Sequence, residues 1–319
     1  MLTAPRTFAA LADPTRLRIL ALLRAMELSV GEIAQVLGQS QPRVSRHVKI
    51  LAEAGLAERR KEGSWVFLGL GARDRMEPLF ALLDRWAEQD RQADWAEADS
   101  ERLSAVRSER AAAAQNYFDA RAEEWDHLRS LHVAEAEVEA GIARALGSDG
   151  RATGRLVDIG TGTGRMIELF GRSADHSLGV DRSPEMLRLA RVKLAEAGLD
   201  AELRQGDMYA LPLAAGSADT VILHQVLHYA QNPAAAIAEA ARLLAPGGRL
   251  LIADFAPHER EDLRTLDAHA RLGFADEVML GYLEGAGLEG KVVEHLEGGE
   301  LTVTIWAGTR PEARLKVVA

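Results

Sequence analysis

Apolar residues recur every three or four positions over the first 55 residues. This spacing predicts a buried helix that begins at Pro14, a short helix over 30–37 and a third helix over 42–55. Apolar and polar residues then alternate over 56–60 and 65–70, around a polar tip, and this pattern predicts a β-hairpin. The N-terminal part of the chain is therefore expected to hold three helices followed by a hairpin.

The stretch that follows carries helical signals only. Residues 73–114 are rich in Ala, Glu and Arg and predict one or two long helices, with an apolar stripe at Leu79, Leu82 or Leu83, and Trp86 that would suit a dimer seam. Residues 88–110 are very polar, which predicts a segment that connects the two halves of the chain. Another helical block, over 117–146, ends at a Gly/Ser/Asp cluster.

From there, strand and helix patterns alternate to the end of the chain. Strands are predicted at 156–159, 177–180, 202–205, 220–223, 249–253, 292–295 and 302–307, and helices begin near Arg165, Pro184, Pro233 and Arg260. This alternation is typical of a mostly parallel sheet with helices on both faces. It predicts a seven-stranded, Rossmann-like α/β fold for this half of the chain.

We therefore expect an α/β protein with a mainly α N-terminal part. The predicted boundaries are a domain of helices and a hairpin over 1–92, a helical linker over 93–114, and an α/β domain over 115–319. At 319 residues the chain is too long for one ordinary core, which agrees with this division.

The amino-acid composition excludes several kinds of functional site. The sequence contains no cysteine, which excludes disulfides, thiolate metal sites and a cysteine nucleophile. No window has the run of apolar residues that a membrane span needs, and no signal-peptide pattern is present. A cytoplasmic protein with no membrane partner is expected.

Charge is unevenly distributed along the chain. The net charge is −10, but residues 1–75 hold 12 Lys and Arg against 7 Asp and Glu. The remaining residues hold 26 against 41. A basic segment attached to an acidic one is typical of a nucleic-acid-binding module joined to a domain of another kind.

The third helix carries the residues expected to read DNA. Val44, Val48 and Leu51 fall on one face, which leaves polar side chains outward. The predicted DNA contacts are Ser40, Gln41, Arg43, Ser45, Arg46, His47 and Lys49, with Arg59, Arg60 and Lys61 at the wing. Arg and Gln suit base edges, and Lys and Ser suit phosphates. The alternative is a solvated helix that is basic by chance.

The segments "LADPTRLRILALL", "SVGEIAQVLGQSQPRVSRHVKILAEAGL" and "RRKEGSWVFLGL" resemble the arsenic-repressor (ArsR/SmtB) family of winged-helix regulators over about residues 3–90. The resemblance implies a homodimer that binds an inverted-repeat operator in double-stranded DNA. Metal-sensing members use cysteine thiolates or His/carboxylate pairs. Here cysteine is absent and His47 is the only histidine before His127, so no metal site is expected.

A glycine-rich loop follows the first strand of the second half. Its pattern is D-x-G-x-G-x-G, from Asp158 to Gly164, where a dinucleotide site would have G-x-G-x-x-G. An acid at the strand end would repel a pyrophosphate. The loop therefore fits a ligand with a cationic amino-acid portion and no phosphate.

The next two strands end in acids as well. Asp181 is placed to accept hydrogen bonds from two ribose hydroxyls. Asp207 offers a carboxylate to an adenine amino group, and Met208 offers an apolar surface to the ring. An acid thus stands at or just after the end of each of the first three strands.

The ordered set, with "LLAPGGRLLIADF" at 243–255, resembles the class I methyltransferases over about residues 110–310. The resemblance implies that S-adenosylmethionine or S-adenosylhomocysteine is the cofactor. The implied contacts are Asp158, Gly160, Thr161, Gly162, Gly164, Asp181, Arg182, Asp207, Met208 and His224, with Tyr117, Trp125 and Arg129 from a cap segment. The three cap residues suit ligand burial and ordinary packing equally well.

His224 and His228 follow the fourth strand, four residues apart. They suit a base, a metal pair or the wall of the pocket, and the wall is favoured because no third ligand is nearby. No motif identifies a methyl acceptor, so catalytic residues stay unassigned.

Three functions are therefore open. The leading hypothesis is a repressor that senses S-adenosylmethionine or S-adenosylhomocysteine and regulates genes of the methionine cycle. The alternative is an active small-molecule methyltransferase that also represses its own operon. In a third, only one half of the chain is functional.

Overall fold

The computed structural model describes residues 4–26, 28–62, 65–89, 96–106, 108, 135–147, 150, 152–297 and 300–312. The chain divides into two compact units, Met1–Ala112 and Ala113–Ala319. Each unit has its own buried apolar core. No described helix is both long and apolar enough to cross a membrane.

The N-terminal unit is built from helices and a small sheet. Its elements are α1 (Ala4–Leu11), α2 (Pro14–Ala25), β1 (Leu28–Ser29), α3 (Val30–Leu37), α4 (Gln41–Glu53), β2 (Ala57–Glu62), β3 (Trp65–Leu70), α5 (Arg73–Gln89) and α6 (96–106). The sheet has the antiparallel order β1–β3–β2, and β2 with β3 forms the predicted hairpin. This arrangement is a winged helix–turn–helix.

The start and end of α3 follow from local chemistry. The Ser29 hydroxyl accepts a hydrogen bond from the Glu32 amide (3.3 Å), and the Glu32 carboxylate accepts one from the Ser29 amide (2.8 Å). This reciprocal capping box satisfies two backbone donors at the helix start. Gly38, with a φ of 63°, ends the helix in the left-handed conformation. The predicted helix over 30–37 is confirmed.

Helix α6 lies in the range where a polar linker was predicted, and it belongs to the core of the N-terminal unit. Leu103 and Val106 are three residues apart, so they share one face of the helix, and both are buried. Asp99 accepts two hydrogen bonds from Arg18 of α2, at 2.6 and 2.7 Å. The two apolar positions are easily overlooked among charged neighbours, yet they anchor the helix.

The C-terminal unit is a three-layer α/β structure. Its elements are α7 (Glu135–Gly147), β4 (Gly154–Ile159), α8 (Arg165–Phe170), β5 (Ala174–Asp181), α9 (Pro184–Glu196), β6 (Glu202–Gln205), β7 (Ala218–His224), α10 (Pro233–Leu243), β8 (Leu244–Phe255), α11 (Asp262–Leu266), α12 (Asp276–Gly285), β9 (Glu289–Leu296) and β10 (Val303–Thr309). All seven predicted strands are present, most of them longer than predicted.

These strands form one sheet in the order β6–β5–β4–β7–β8–β10–β9. The first five are parallel, and β10 pairs antiparallel with β8 and β9. After β4 the chain moves outward to β5 and β6, and from β7 it moves outward in the other direction. The order therefore reverses between β4 and β7, which is where such sheets bind ligands at the carboxyl ends of their strands.

Candidate functional site

Helix α4 presents a basic face to solvent. Val44, Val48 and Leu51 are fully buried in the core of the N-terminal unit, as their spacing predicts. The outward positions of this helix and its N-cap are exposed at Ser40, Gln41, Arg43, Arg46 and Lys49. Such a face has the donors that base edges and phosphates require.

Two predicted DNA contacts on α4 are less exposed than the others. Ser45 is half-buried. The side chain of His47 is only 14 % exposed, and its Nδ1 lies 3.7 Å from the carboxylate of Asp13, the N-cap residue of α2. His47 therefore contacts the neighbouring helix within the unit, whereas the spacing had predicted an outward position.

The wing is formed by β2 and β3, joined by the antiparallel pairing of Glu62 with Trp65. Arg59 is exposed on β2. Arg60 and Lys61 also lie in β2, and their side chains are outside the described part of the structure. A hairpin at this position is suited to contact the DNA backbone beside a recognition helix.

In the C-terminal unit, the glycine loop after β4 has an unusual backbone. Gly160, Gly162 and Gly164 all have positive φ values, of 72°, 53° and 88°. A side chain at Gly160 would overlap Val226, which follows β7. Glycine is therefore required both for the turn and for the close approach of the two loops.

Acidic side chains hold this loop in place. Asp158 is buried at the end of β4 and accepts a hydrogen bond from the Thr161 hydroxyl at 2.7 Å. Asp181, at the end of β5, accepts hydrogen bonds from the amides of Gly162 (2.8 Å) and Ser183 (2.9 Å). The sequence predicted Asp181 as a ligand contact, and the structure adds that it orders the loop.

The other predicted contacts also lie at strand ends. His224, the last residue of β7, is buried, and three more residues follow β5 and β6. Asp207 is exposed and accepts a hydrogen bond from the Tyr209 amide at 3.1 Å. Met208 is half-buried against the core. Arg182 is exposed, and its carbonyl accepts a hydrogen bond from the Gln205 side chain. The predicted cap residues Tyr117, Trp125 and Arg129 lie outside the described residues.

The turn after β7 carries His228, which contacts Asp254 of β8; the sequence offered these residues as candidate bases but did not predict their contact. His228 Nδ1 lies 2.8 Å from Asp254 Oδ1, and both side chains are almost fully buried. Asp254 Oδ2 also accepts hydrogen bonds from the amides of Leu227 (2.9 Å) and His228 (3.3 Å). The carboxylate therefore fixes the turn that follows β7. The signal in the sequence was that polar residues stand near the ends of two neighbouring strands, His228 four residues after β7 and Asp254 one residue before the end of β8.

Further histidines lie against this pair. The His269 ring is 4.3 Å from the His228 ring and stacks on Phe255, and the His258 ring is 6.3 Å from that of His269. Burial, and then the neighbouring His228, lower the pKa of His258 to about 4. Within the described residues, no group of three or more His, Asp or Glu side chains is placed to hold a metal ion.

Two family models match the chain, one in each unit. Residues 13–59 match the bacterial regulatory protein, arsR family, and residues 157–252 match a methyltransferase domain. The first covers the helix–turn–helix and the start of the wing. The second begins two residues before the end of β4 and ends within β8, so it includes the glycine loop and the turn after β7.

Similar proteins fall into the same two groups. The arsenical resistance operon repressor of Escherichia coli is 50% identical over 60 residues, which are 18% of this chain and 51% of the repressor. The demethylmenaquinone methyltransferase of Thermus thermophilus is 34% identical over 109 residues, which are 34% of this chain and 50% of the enzyme. The chain thus spans about half the length of each of these relatives.

A solved structure supports the fold of the C-terminal unit. The magnesium protoporphyrin IX methyltransferase of Synechocystis superposes with a TM-score of 0.50 at 19% identity, covering 61% of this chain and 94% of that protein. Together with the sheet order, these matches establish that the chain joins an ArsR-type winged helix–turn–helix DNA-binding domain to a methyltransferase domain of the class I fold.

Proposed function

We propose that this protein is a homodimeric transcriptional repressor whose operator affinity is set by S-adenosylmethionine or S-adenosylhomocysteine bound in the C-terminal unit. Its operator is an inverted repeat, and its targets are genes of the methionine cycle. The proposal depends on the joining of a DNA-reading helix and an adenosine-type ligand site in one chain.

The loop chemistry supports an S-adenosyl ligand over a phosphorylated one. Asp158 and Asp181 place carboxylates at the ends of β4 and β5, where a pyrophosphate would be repelled and an amino group or ribose hydroxyls would be accepted. Arg165, the first residue of α8, is paired with Glu139 at 2.6 Å and with Glu168 at 2.8 Å. Its charge is therefore neutralised and does not offer a phosphate site.

Helix α6 is suited to transmit a conformational change from the ligand-binding unit to the recognition helix. It is the last described helix before the C-terminal unit along the chain, and Asp99 ties it to α2. Arg102 donates a hydrogen bond to the Val36 carbonyl at 3.1 Å, at the end of α3. Helix α3 packs on the recognition helix α4. A displacement of α6 would therefore alter how the α4 helices of the two subunits are positioned for DNA binding. A hundredfold change in affinity requires about 2.7 kcal/mol of differential binding.

The test is operator binding by the full-length protein, measured by fluorescence anisotropy at fixed salt with each ligand in turn. We expect one ligand to change the operator Kd at least tenfold. Asp181→Ala, which removes the predicted ribose acceptor, should abolish that change and leave the ligand-free Kd unaltered. If both ligands bind and neither changes the operator Kd, the regulatory proposal is rejected.

A second candidate function is methyl transfer to a small molecule, combined with autoregulation. The buried His228–Asp254 pair favours it, because a histidine whose Nδ1 proton is held by a carboxylate keeps Nε2 as a proton acceptor. S-Adenosylmethionine would supply the methyl group. This candidate requires that purified protein converts S-adenosylmethionine to S-adenosylhomocysteine when an acceptor is added, and that His228→Gln removes this activity.

A further inference from the structure

The turn after β7 lies at the point where the strand order reverses. Gln225 directly follows β7, and β7 pairs with β4, whose carboxyl end leads into the glycine loop. Val226 packs so closely on Gly160 that no side chain would fit there. Gln225 is therefore beside the crevice in which this class of sheet binds its ligand.

Gln225 has a strained backbone that its surroundings hold in place. Its φ is 49°, in the left-handed region that residues other than glycine rarely adopt. Its amide donates to the Ala253 carbonyl at 2.7 Å, and Asp254 binds the amides of Leu227 and His228 two and three residues further on. Strain that is fixed from several sides in this way is typical of functional positions.

The side chain of Gln225 is buried and incompletely hydrogen-bonded. It is 6 % exposed, and its Nε2 has no hydrogen-bond partner in the part of the chain that the structure describes. A buried amide without a partner is costly, and native structures avoid it unless a ligand or water completes the bond. The missing partner must be an acceptor, because Nε2 can only donate.

We propose that Gln225 binds the carboxylate of the amino-acid portion of the ligand. The inference depends on the proposed S-adenosyl ligand. The glycine loop is the predicted place of that portion, and Val226 brings the turn against the same loop. In the bound state the carboxylate would supply the acceptor that Nε2 lacks, so Gln225 would select ligands that retain the amino acid.

The test compares two ligands that differ in this group. S-Adenosylhomocysteine carries the carboxylate, whereas 5′-methylthioadenosine keeps the adenosine and the thioether but has no amino acid. Both are titrated by calorimetry into full-length wild-type protein and into Gln225→Met, which preserves the size of the side chain without its donor. Because hydrogen bonds to charged groups are the strong ones, we expect the Kd for S-adenosylhomocysteine to rise about ten- to hundredfold. The Kd for 5′-methylthioadenosine should change less than twofold.

Two further variants serve as controls, the first for folding and the second for the specificity of the position. Gln225→Asn tolerates the left-handed backbone and withdraws the amide by one methylene, so it should show the same ligand-selective loss if Gln225→Met does not fold. Gln35→Met alters an exposed glutamine of α3 and should leave both Kd values unchanged.

The inference is overturned if the substitution leaves S-adenosylhomocysteine binding intact, which would be the case if Nε2 met an oxygen of a methyl acceptor. It is also overturned if both ligands weaken equally, since Gln225 would then act through the fold. In both outcomes wild-type binding still supports the proposed function. A wild-type protein that binds neither S-adenosyl ligand would overturn the proposed function together with this inference.

Discussion

At the scale of single residues, Gly160 meets two separate restrictions, a φ of 72° and close contact with Val226. Gly160→Ala should therefore destabilise the C-terminal unit by more than the roughly 1–2 kcal/mol of a left-handed alanine alone. Gly198 is the matched control, because its φ is 64° and nothing lies within 4 Å of an added Cβ. Urea unfolding of the two variants separates conformational strain from steric overlap.

A double variant sharpens this prediction. If overlap with Val226 causes the additional loss of unfolding free energy in Gly160→Ala, then adding Val226→Ala should restore part of that free energy. Equal losses at Gly160 and Gly198 would show that the contact between the two loops is not tight.

The lowered pKa of His258 should make the free energy of unfolding depend on pH. Its pKa is lowered to about 4 in the folded protein, from an ordinary value of 6.5. Between these values the unfolded chain binds the proton more readily, so the free energy of unfolding falls as the pH decreases through this range. From pH 7 to pH 5 the loss should be at most about 2 kcal/mol, because His258 is partly exposed and solvent screening weakens the effect.

The measurement is urea unfolding at the two pH values, for the wild type and for His258→Gln, which does not titrate there. The variant should lose less stability than the wild type by about this amount. Parallel pH profiles for the two proteins would contradict the burial of a neutral His258.

At the scale of elements, two bidentate Arg–Asp pairs predict how firmly α6 is held. Arg18–Asp99 joins α2 to α6 with side chains 18 % and 5 % exposed, whereas Arg24–Asp84 joins α2 to α5 with side chains 50 % and 52 % exposed. Asp99→Asn leaves a poorly solvated guanidinium and should cost about 2–3 kcal/mol of unfolding free energy. Asp84→Asn should cost much less, because solvent screens that exposed pair.

Thermal unfolding of both variants, with fluorescence or circular dichroism detection, tests the difference. Equal shifts in Tm would mean that α6 contributes nothing beyond a surface ion pair. The added prediction is that Asp99→Asn, and not Asp84→Asn, weakens the ligand response of operator binding.

The elements themselves were largely predictable from the sequence, because their signals are local. Helix α3 follows from a capping box and a C-terminal glycine, and the seven strands follow from short apolar runs between turn residues. The glycine loop was predictable because Asp158, Gly160 and Asp181 each stand within one residue of the end of a strand.

The contacts that sequence patterns missed all join residues far apart in the chain. Arg18 and Asp99 are 81 residues apart, and His228 and Asp254 are 26 apart. His47 was predicted outward because helical spacing shows which face a residue occupies, but not whether a neighbouring helix supplies a partner such as Asp13. The unpartnered amide of Gln225 likewise depends on burial, which no pattern of residue types revealed.

At the scale of the whole molecule, the basic start and the acidic remainder of the chain predict a salt dependence of operator binding. Lysine and arginine contacts to phosphates release counterions, so the logarithm of the binding constant falls linearly with the logarithm of salt concentration. Lys49→Gln should lower the slope by about 1 if Lys49 meets a phosphate. Anisotropy titrations across a salt series measure this, with Lys193→Gln, in the C-terminal unit, as the control that leaves the slope unchanged.

Ligand binding and operator binding should affect each other by the same factor. If S-adenosylhomocysteine changes the operator Kd by some factor, the operator must change the Kd for S-adenosylhomocysteine by the same factor, because both describe one closed cycle of binding equilibria. Calorimetric titration of the ligand into free protein and into the protein–operator complex gives the second factor, and anisotropy gives the first. In Asp181→Ala both factors should become 1. Unequal factors in the wild type would mean that the ligand acts on something outside the cycle, such as the assembly of the dimer, and the regulatory state would then have to be sought in the oligomer rather than in the link through α6.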